Sequence, residues 1–413
     1  MATQAAARRG KHTKAVSAKA GPEPDLKAAR RLVLELMSIP GTSGHEAAVA
    51  EFITRALGEA GAPAAAIRSD LAHRKSPLKG EIGNLIFRLP GTKPAPRRLL
   101  MAHLDTVPLC VGSKPLVRGR VVRSGNPASG LGADDRAGCA VVLTAALEIL
   151  RRKLDHPPLV FFWPVQEEVG LFGAHYGQLS LLGRPQQAFN WDGGPAEKIT
   201  IGATGAYRLA IEIHGRASHA GAAPERGVSA VTIAGLAIAE LQHGGWLGDV
   251  RQGDRRGTSN IGVIHGGAAT NVVTNLVQLK AEARSHDPAF RRAIVQAMHR
   301  AFRSAAASVR SADGRAGKVV IESRLDYESF RLAEDEPCVV AAEAAARCVG
   351  LAPLLHVSNG GLDANWMTAR GIPTVTLGCG QQDVHTLNER LNLDVFDSAC
   401  RMALCLATGR EGG

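Results

Sequence analysis

Apolar residues recur at helical spacing over residues 25–37 and again over 43–57. In the second stretch Ser43, followed three residues later by Glu46, has the pattern of a capping box. Short apolar runs of strand length follow at 84–89, 98–102, 157–163, 187–191 and 373–377. They alternate with helical patterns at 136–151, 337–349 and 391–406. This alternation predicts an α/β fold, a mainly parallel doubly wound sheet with helices on both faces.

Within residues 204–325 the order changes to strand (207–214), helix (228–242), strand (259–266), strand (276–284), helix (288–309) and strand (318–324). That order predicts an α+β unit with one sheet and two helices. Because the doubly wound pattern resumes afterwards, residues 204–325 read as an insertion into a domain made of 25–203 and 326–413. A length of 413 residues, more than one core usually serves, agrees with two units.

Composition narrows the function classes. No run approaches the roughly 18 apolar residues needed to cross a bilayer, so no membrane partner is expected. Residues 1–24 carry Arg8, Arg9, Lys11, Lys14 and Lys19 with no acid before Glu23. No apolar run follows as it would in a secretory signal, and the segment reads as a disordered basic tail. It supplies nearly half of the net charge of +11, and the mildly basic remainder argues against a nucleic-acid partner. The seven cysteines, odd in number and without zinc-finger spacing, read as reduced thiols of a cytoplasmic protein.

Ligands of an open α/β sheet bind beyond the carboxyl ends of its strands. Here His103 and Asp105 follow one apolar run, Glu167 and Glu168 a second, Asp192 a third, and His385 lies beyond the last. A single such residue is ordinarily a turn or a satisfied polar group; four strand ends each supplying a metal-type side chain call for a joint explanation. Two imidazoles with three or four carboxylates suit zinc, or else manganese or cobalt. The surplus of carboxylates points to two ions about 3.5–4 Å apart, bridged by one of them. Glu167 and Glu168 would face opposite ways on a regular strand, so both reach one site only where the strand has ended. One would then bind metal and the other act as general base. Asp105 is placed to accept the second N–H of His103 and fix its tautomer. Gly130 and Gly132 lack the third glycine of a nucleotide loop, so segment 130–138 reads as a bridging aspartate at a helix start, with Asp134 and Asp135 both open.

Taken together, His103-Leu104-Asp105, Gly132-Ala133-Asp134-Asp135-Arg136-Ala137-Gly138, Glu167-Glu168-Val169-Gly170, Asp192-Gly193-Gly194 and the late His385 resemble the zinc exopeptidase family of aminoacylase, carboxypeptidase G and peptidase T, over nearly everything from Asp25 onward. The resemblance implies two zinc ions, with Asp134 bridging, His103 and Asp192 on one, and Glu168 and His385 on the other. It further implies Glu167 as general base and Asp105 as the residue that orients His103. The inserted unit is similar to the family's lid and dimerisation domain through Gly215-Arg216-Ala217-Ser218-His219-Ala220-Gly221, Ala269-Thr270-Asn271-Val272-Val273 and Arg284. That implies a homodimer in which His219 polarises the scissile carbonyl in the other subunit while Asn271 and Arg284 help hold substrate. Gly360 and Gly361 resemble the family's substrate loop.

The Ala-Asp-Asp-basic-Ala-Gly string and Asp192 followed by Gly-Gly are most similar to the peptidase T branch, which trims N-terminal residues from tripeptides. Arg136 stands where that branch commonly has lysine, and the surroundings of the 357–363 loop also differ. The implied substrate is a short peptide; the rival is an acylated amino acid, cleaved by an amidohydrolase or carboxypeptidase of the same family. A two-metal phosphoesterase would want a basic cluster near the ligands, which is missing. A catalytically dead metal-binding scaffold would have no use for Glu167 beside Glu168.

Overall fold

A computed structural model describes residues 22–411. The basic tail read over 1–24 lies outside the described residues except for Pro22, Glu23 and Pro24. The elements used below are strands β1 (Arg98–Met101), β2 (Leu159–Trp163), β3 (Gln187–Trp191), β4 (Gly205–His214), β5 (Arg255–Gly266), β6 (Leu276–Ser285), β7 (Lys318–Tyr327) and β8 (Thr374–Leu377), and helices α1 (Ala133–Arg152), α2 (Ala230–His243) and α3 (Pro288–Ser308).

Strands β2, β1, β3 and β8 lie side by side in that order and run parallel. Leu85–Leu89 runs against β2 and Lys198–Ala203 against β8, with Ile67–Ser69 and Phe330–Arg331 at the two ends. The sheet is therefore mixed: the parallel order expected from the alternation describes its centre, and the strand next to the centre on each side runs the other way. The reason is visible at β3. Only residues 192–197 separate it from Lys198–Ala203, fewer than the dozen or so that a parallel crossover takes.

All five residues of β2 are buried, as a strand covered on both faces requires. Over residues 133–149 helix α1 is buried on every side, so it carries no single apolar stripe. It packs between the sheet and the helices Leu26–Ser38 and Leu393–Thr408. Each large apolar side chain here contributes about 1.5–3 kcal/mol. Gly138 sets how closely α1 approaches β3: a Cβ there would stand 2.1 Å from the Trp191 carbonyl oxygen and 2.4 Å from Asp135 Oδ1.

The capping box expected at Ser43 and Glu46 does not form. The helix begins at Ala47, and Glu46, at its N-cap, makes no side-chain cap. Both side chains are taken by more distant partners, described below, because a buried carboxylate or backbone N–H outcompetes a local helix end for a polar group.

A second sheet, in the order Gly248–Gln252, β5, β6, β4, β7, is antiparallel throughout. Strand β6, in its middle, alternates strictly, with Val277, Leu279, Ala281 and Ala283 buried and Gln278 and Lys280 exposed between them. Helices α2 and α3 cover the apolar face through Ile233, Ala237, Phe290, Ile294, Met298 and Phe302, which form an apolar cluster separate from that of the first sheet. The other face is charged. No helix among the described residues is long and apolar enough to cross a membrane.

Overpacking at a contact as close as that of Gly138 costs about 1–3 kcal/mol. Gly138→Ala should therefore lower the urea midpoint followed by tryptophan fluorescence; an unchanged midpoint would show that α1 can move off β3 freely.

Candidate metal centre

The carboxyl ends of β2, β1, β3 and β8 open on one edge of the parallel centre. His103 and Asp105 follow β1, Glu167 and Glu168 follow β2, Asp192 follows β3 directly, and His385 sits in the loop after β8. Asp134 and Asp135 open α1 and are joined by a cis peptide bond. Asp134 occupies the middle. Its Oδ1 lies 3.3 Å from His103 Nε2 and its Oδ2 3.2 Å from His385 Nε2. The same His385 nitrogen stands 3.0 and 2.9 Å from the two oxygens of Glu168. Gln381 Nε2 donates to Asp134 Oδ1 at 3.3 Å and to Asp192 Oδ1 at 3.2 Å.

Asp135 is engaged differently. Its Oδ1 accepts from the Gly138 N–H at 3.0 Å and its Oδ2 from the His103 N–H at 3.1 Å. Ligand-type atoms of His103, Asp134 and Glu168 lie within 4.8 Å of one another, as do those of His103, Asp135 and Asp192. Asp134 thus offers one oxygen to each histidine, whereas both oxygens of Asp135 already hold backbone.

Two buried carboxylates present the glutamate pair. Asp105 Oδ1 accepts from the Glu167 N–H at 3.0 Å and Oδ2 from the Glu168 N–H at 3.2 Å. The Ser43 hydroxyl donates to Oδ2 at 2.6 Å. Glu46 Oε1 accepts from the N–H groups of Gln166 at 3.1 Å and Gly44 at 2.8 Å. Three consecutive peptide N–H groups, 166–168, therefore converge on two anions. Gln166 stands at φ +57°, a left-handed conformation that non-glycine residues rarely adopt, and the chain turns there off the end of β2. His103 Nδ1 meets Asp105 through the latter's backbone oxygen at 3.1 Å and its carboxylate at 3.4 Å.

Glu389 does the same for the start of α1, accepting from the N–H groups of Gly132 at 2.7 Å and Asp134 at 3.0 Å. A buried anion at this helix start satisfies donors that the helix leaves open and favours its dipole. Asp363 is buried, and neither of its oxygens has a partner among the described residues. Arg136 is buried too and donates to the carbonyl oxygens of Leu104 and Gly41, a structural cross-link behind the site.

The electrostatics follow from crowding. Burial, reinforced by Asp134, pushes Asp192 up to about 7. Burial likewise lifts Asp363 to about 8, Asp192 adding to it. Glu167 is raised well above the ordinary carboxyl range by burial, with Asp192, Asp363 and Glu168 adding to it against His103. Burial disfavours a charge on His103, yet Asp105 and Asp134 beside its ring hold its pKa well above the usual value. Hydrogen bonds to Asp134 and Glu168 raise His385 to about 10. Six carboxylates, counting Asp135, share two imidazoles, and Asp363 has orphaned oxygens; this oxygen-rich donor set with two imidazoles fits divalent cations.

Not every residue singled out in the sequence joins the cluster. Gly361 lines the cleft, and a Cβ on it would stand 2.4 Å from the Tyr327 ring. Gly360 donates its N–H to the Ser358 hydroxyl at 3.0 Å. Arg284 also lines the cleft but is held by Glu282 at 3.0 Å. His219 and Asn271 lie together and exposed on neighbouring loops of the second unit, the Ala220 N–H donating to the Asn271 carbonyl oxygen at 2.8 Å. The Nδ1 of His219 accepts from the N–H groups of Gly221 and Ala222 at 3.2 and 3.0 Å, which leaves Nε2 facing outward. Glu46, Gln381, Glu389 and Asp363 were not selected from the sequence. Glu46 carried a signal that pointed to a helix cap instead, Asp363 stood in the Gly-Gly-x-Asp core likened to the family's substrate loop, and Gln381 carried none.

The model of the family described as Peptidase family M20/M25/M40 matches residues 99–408. The uncharacterized protein YqjE of Bacillus subtilis is 32% identical over 374 residues, covering 90% of this chain and 95% of that one. A tripeptidase from Staphylococcus aureus superposes with a TM-score of 0.85 at 29% identity, over 95% of this chain and 100% of its own. The aminopeptidase PepT of Bacillus cereus gives 0.82 at 30% identity, over 94% and 99%. The fold and the cluster define a metallopeptidase, and this chain belongs to peptidase family M20/M25/M40.

Glu389 tests how much the tertiary cap contributes. Glu389→Ala leaves two buried N–H groups without acceptors and should cost about 1–3 kcal/mol. Glu389→Gln, which keeps an acceptor, should lose less; equal thermal shifts for the two variants would refute the capping role.

Proposed function

We propose that this metallopeptidase is an exopeptidase that removes N-terminal residues from short peptides. The observation that carries the proposal is Asp134 set between His103 and His385, one oxygen toward each, at the end of a cleft that also contains Glu167. The cleft measures about 990 Å³ and is closed on its far side by the charged face of the second sheet, ample for a short peptide. A tripeptidase and an aminopeptidase, alike over nearly the whole chain at 29% and 30% identity, support the choice of substrate class. A carboxylate-rich end also suits a free α-amino group, which an acylated substrate lacks.

In this reading His103, Asp134 and Asp192 hold one ion, and Asp134, Glu168 and His385 the other, zinc first and cobalt or manganese as substitutes. Bound ions of this kind acidify water and polarise a carbonyl. No group donates to the Glu167 carboxylate among the described residues, so it is free to take the proton of the attacking water and pass it to the departing amine. Asp105 holds Glu167 and His103 in register. Residues 204–325 act as a lid on the domain formed by 25–203 and 326–413, with Gly360, Gly361 and Arg284 at the substrate. His219 and Asn271, away from their own cluster, serve that of a second copy in a homodimer. The unpaired cysteines suit a cytoplasmic setting.

The test is metal content together with hydrolysis of Ala-Ala-Ala and its N-acetyl form. Expected are cleavage of the free-amine peptide only, loss on chelation and recovery on adding zinc; cleavage of the acylated compound alone would assign the protein to the amidohydrolases instead. Glu167→Gln should keep its metal and lose roughly 10²–10⁴-fold in kcat. Full activity in that variant would falsify the base assignment. An active monomer in sedimentation would remove the role of His219 in a second subunit.

A further inference from the structure

The wall of the cleft opposite the metal centre is the charged face of the second sheet, and five of the seven charged residues that line the cleft from it are paired with one another, leaving Lys280 and Glu322. Arg208 pairs with Glu282 at 2.8 Å and with Asp326 at 3.0 Å. Arg284 pairs with Glu282 at 3.0 Å and Arg324 with Asp326 at 3.1 Å. The remaining cation that lines the cleft from this wall is Lys280 on β6, which has no ion pair or hydrogen bond among the described residues. Its neighbours across the sheet are Val263 of β5 and Ala210 of β4, neither of which can neutralise it. Glu322 of β7 lies beyond Ala210, two strand spacings or about 10 Å away. In the adjacent rows Glu282 is occupied by two arginines and Glu212 by Gln278 at 2.7 Å.

The cleft is therefore dipolar, with carboxylates at one end and an uncommitted ammonium on the opposite wall. From this we infer that Lys280 is a specificity-determining residue that binds a carboxylate of the peptide substrate distal to the bond cleaved. The inference rests on the proposed peptidase function and deepens it: it selects dipolar peptides, amine toward the metal centre and carboxylate toward β6. Arg284, also placed at the substrate, already shares its charge with Glu282. Lys280 gives up nothing.

The carboxylate has two sources, the C-terminus or an acidic side chain, and three substrates distinguish them: Ala-Ala-Ala, Ala-Ala-Ala-amide and Ala-Glu-Ala-amide. In the wild type kcat/KM should favour one or both acids over the neutral amide about tenfold, mainly through KM, and the preference should shrink as salt rises. Lys280→Met should bring the ratio near one, Lys280→Arg should keep it, and Lys280→Glu should invert it, with metal content and circular dichroism confirming intact protein in each case. A wild-type ratio near one, or an unchanged ratio in Lys280→Met, overturns the inference while leaving the peptidase reading intact. Failure of the wild type to cleave any of the three removes the peptidase reading and this inference with it.

Discussion

The constraint behind the rest of the structure is like-charge repulsion among carboxylates gathered at one end of a parallel sheet. Asp134, Asp135, Glu167, Glu168, Asp192 and Asp363 crowd around two imidazoles, and burial with mutual repulsion pushes several of them toward the protonated state. A chain relieving only that strain would spread such groups apart. This one instead holds them in place from behind, with backbone N–H groups on Asp105, Asp135, Glu46 and Glu389. Those four acids spend their charge on orienting the backbone, which leaves Asp134, Glu168 and Asp192 directed at the opening. The division between holding and directed carboxylates is what makes the cluster a site rather than an acidic patch.

The second sheet answers the first with a different charge economy. Its strands bury one face under α2 and α3 and leave the other wet, so the wet face can carry charges without paying for their burial. Most of these charges form a chain of ion pairs, Arg284–Glu282–Arg208–Asp326–Arg324. Interlocked charges in a partly wetted cleft contribute little to stability singly. Their effect is on recognition, since they decide which cation remains available.

Much of the fold was legible along the chain. The strands at Gln187–Trp191 and Thr374–Leu377 and the helices at Pro288–Ser308 and Pro337–Cys348 fall within a residue or so of the expected ranges. Their periodicity is strong and their length ordinary. Lys198–Ala203 and Leu354–Ser358 were missed: the first follows β3 after too short a gap for the alternating pattern, and the second has no clear apolar alternation. The mixed direction of the sheet escaped as well, because strand polarity depends on how connections cross and not on the strands themselves.

By itself the sequence determined the chemistry on offer, since His103, Asp134, Glu167, Glu168 and Asp192 stand at strand or helix ends that local pattern locates, with His385 in the loop beyond the last of them. Only the tertiary structure distinguishes the surroundings of Asp134 from those of Asp135. Both are acids at the same helix start, and what separates them is that the N–H groups of Gly138 and His103 consume one while two histidines from distant loops face the other. The same holds for Ser43 and Glu46, whose spacing promises a helix cap until Asp105 and the Gln166 N–H offer better partners. A polar side chain goes to the partner that best compensates its burial, and that partner lies far away in sequence, where no local pattern records it.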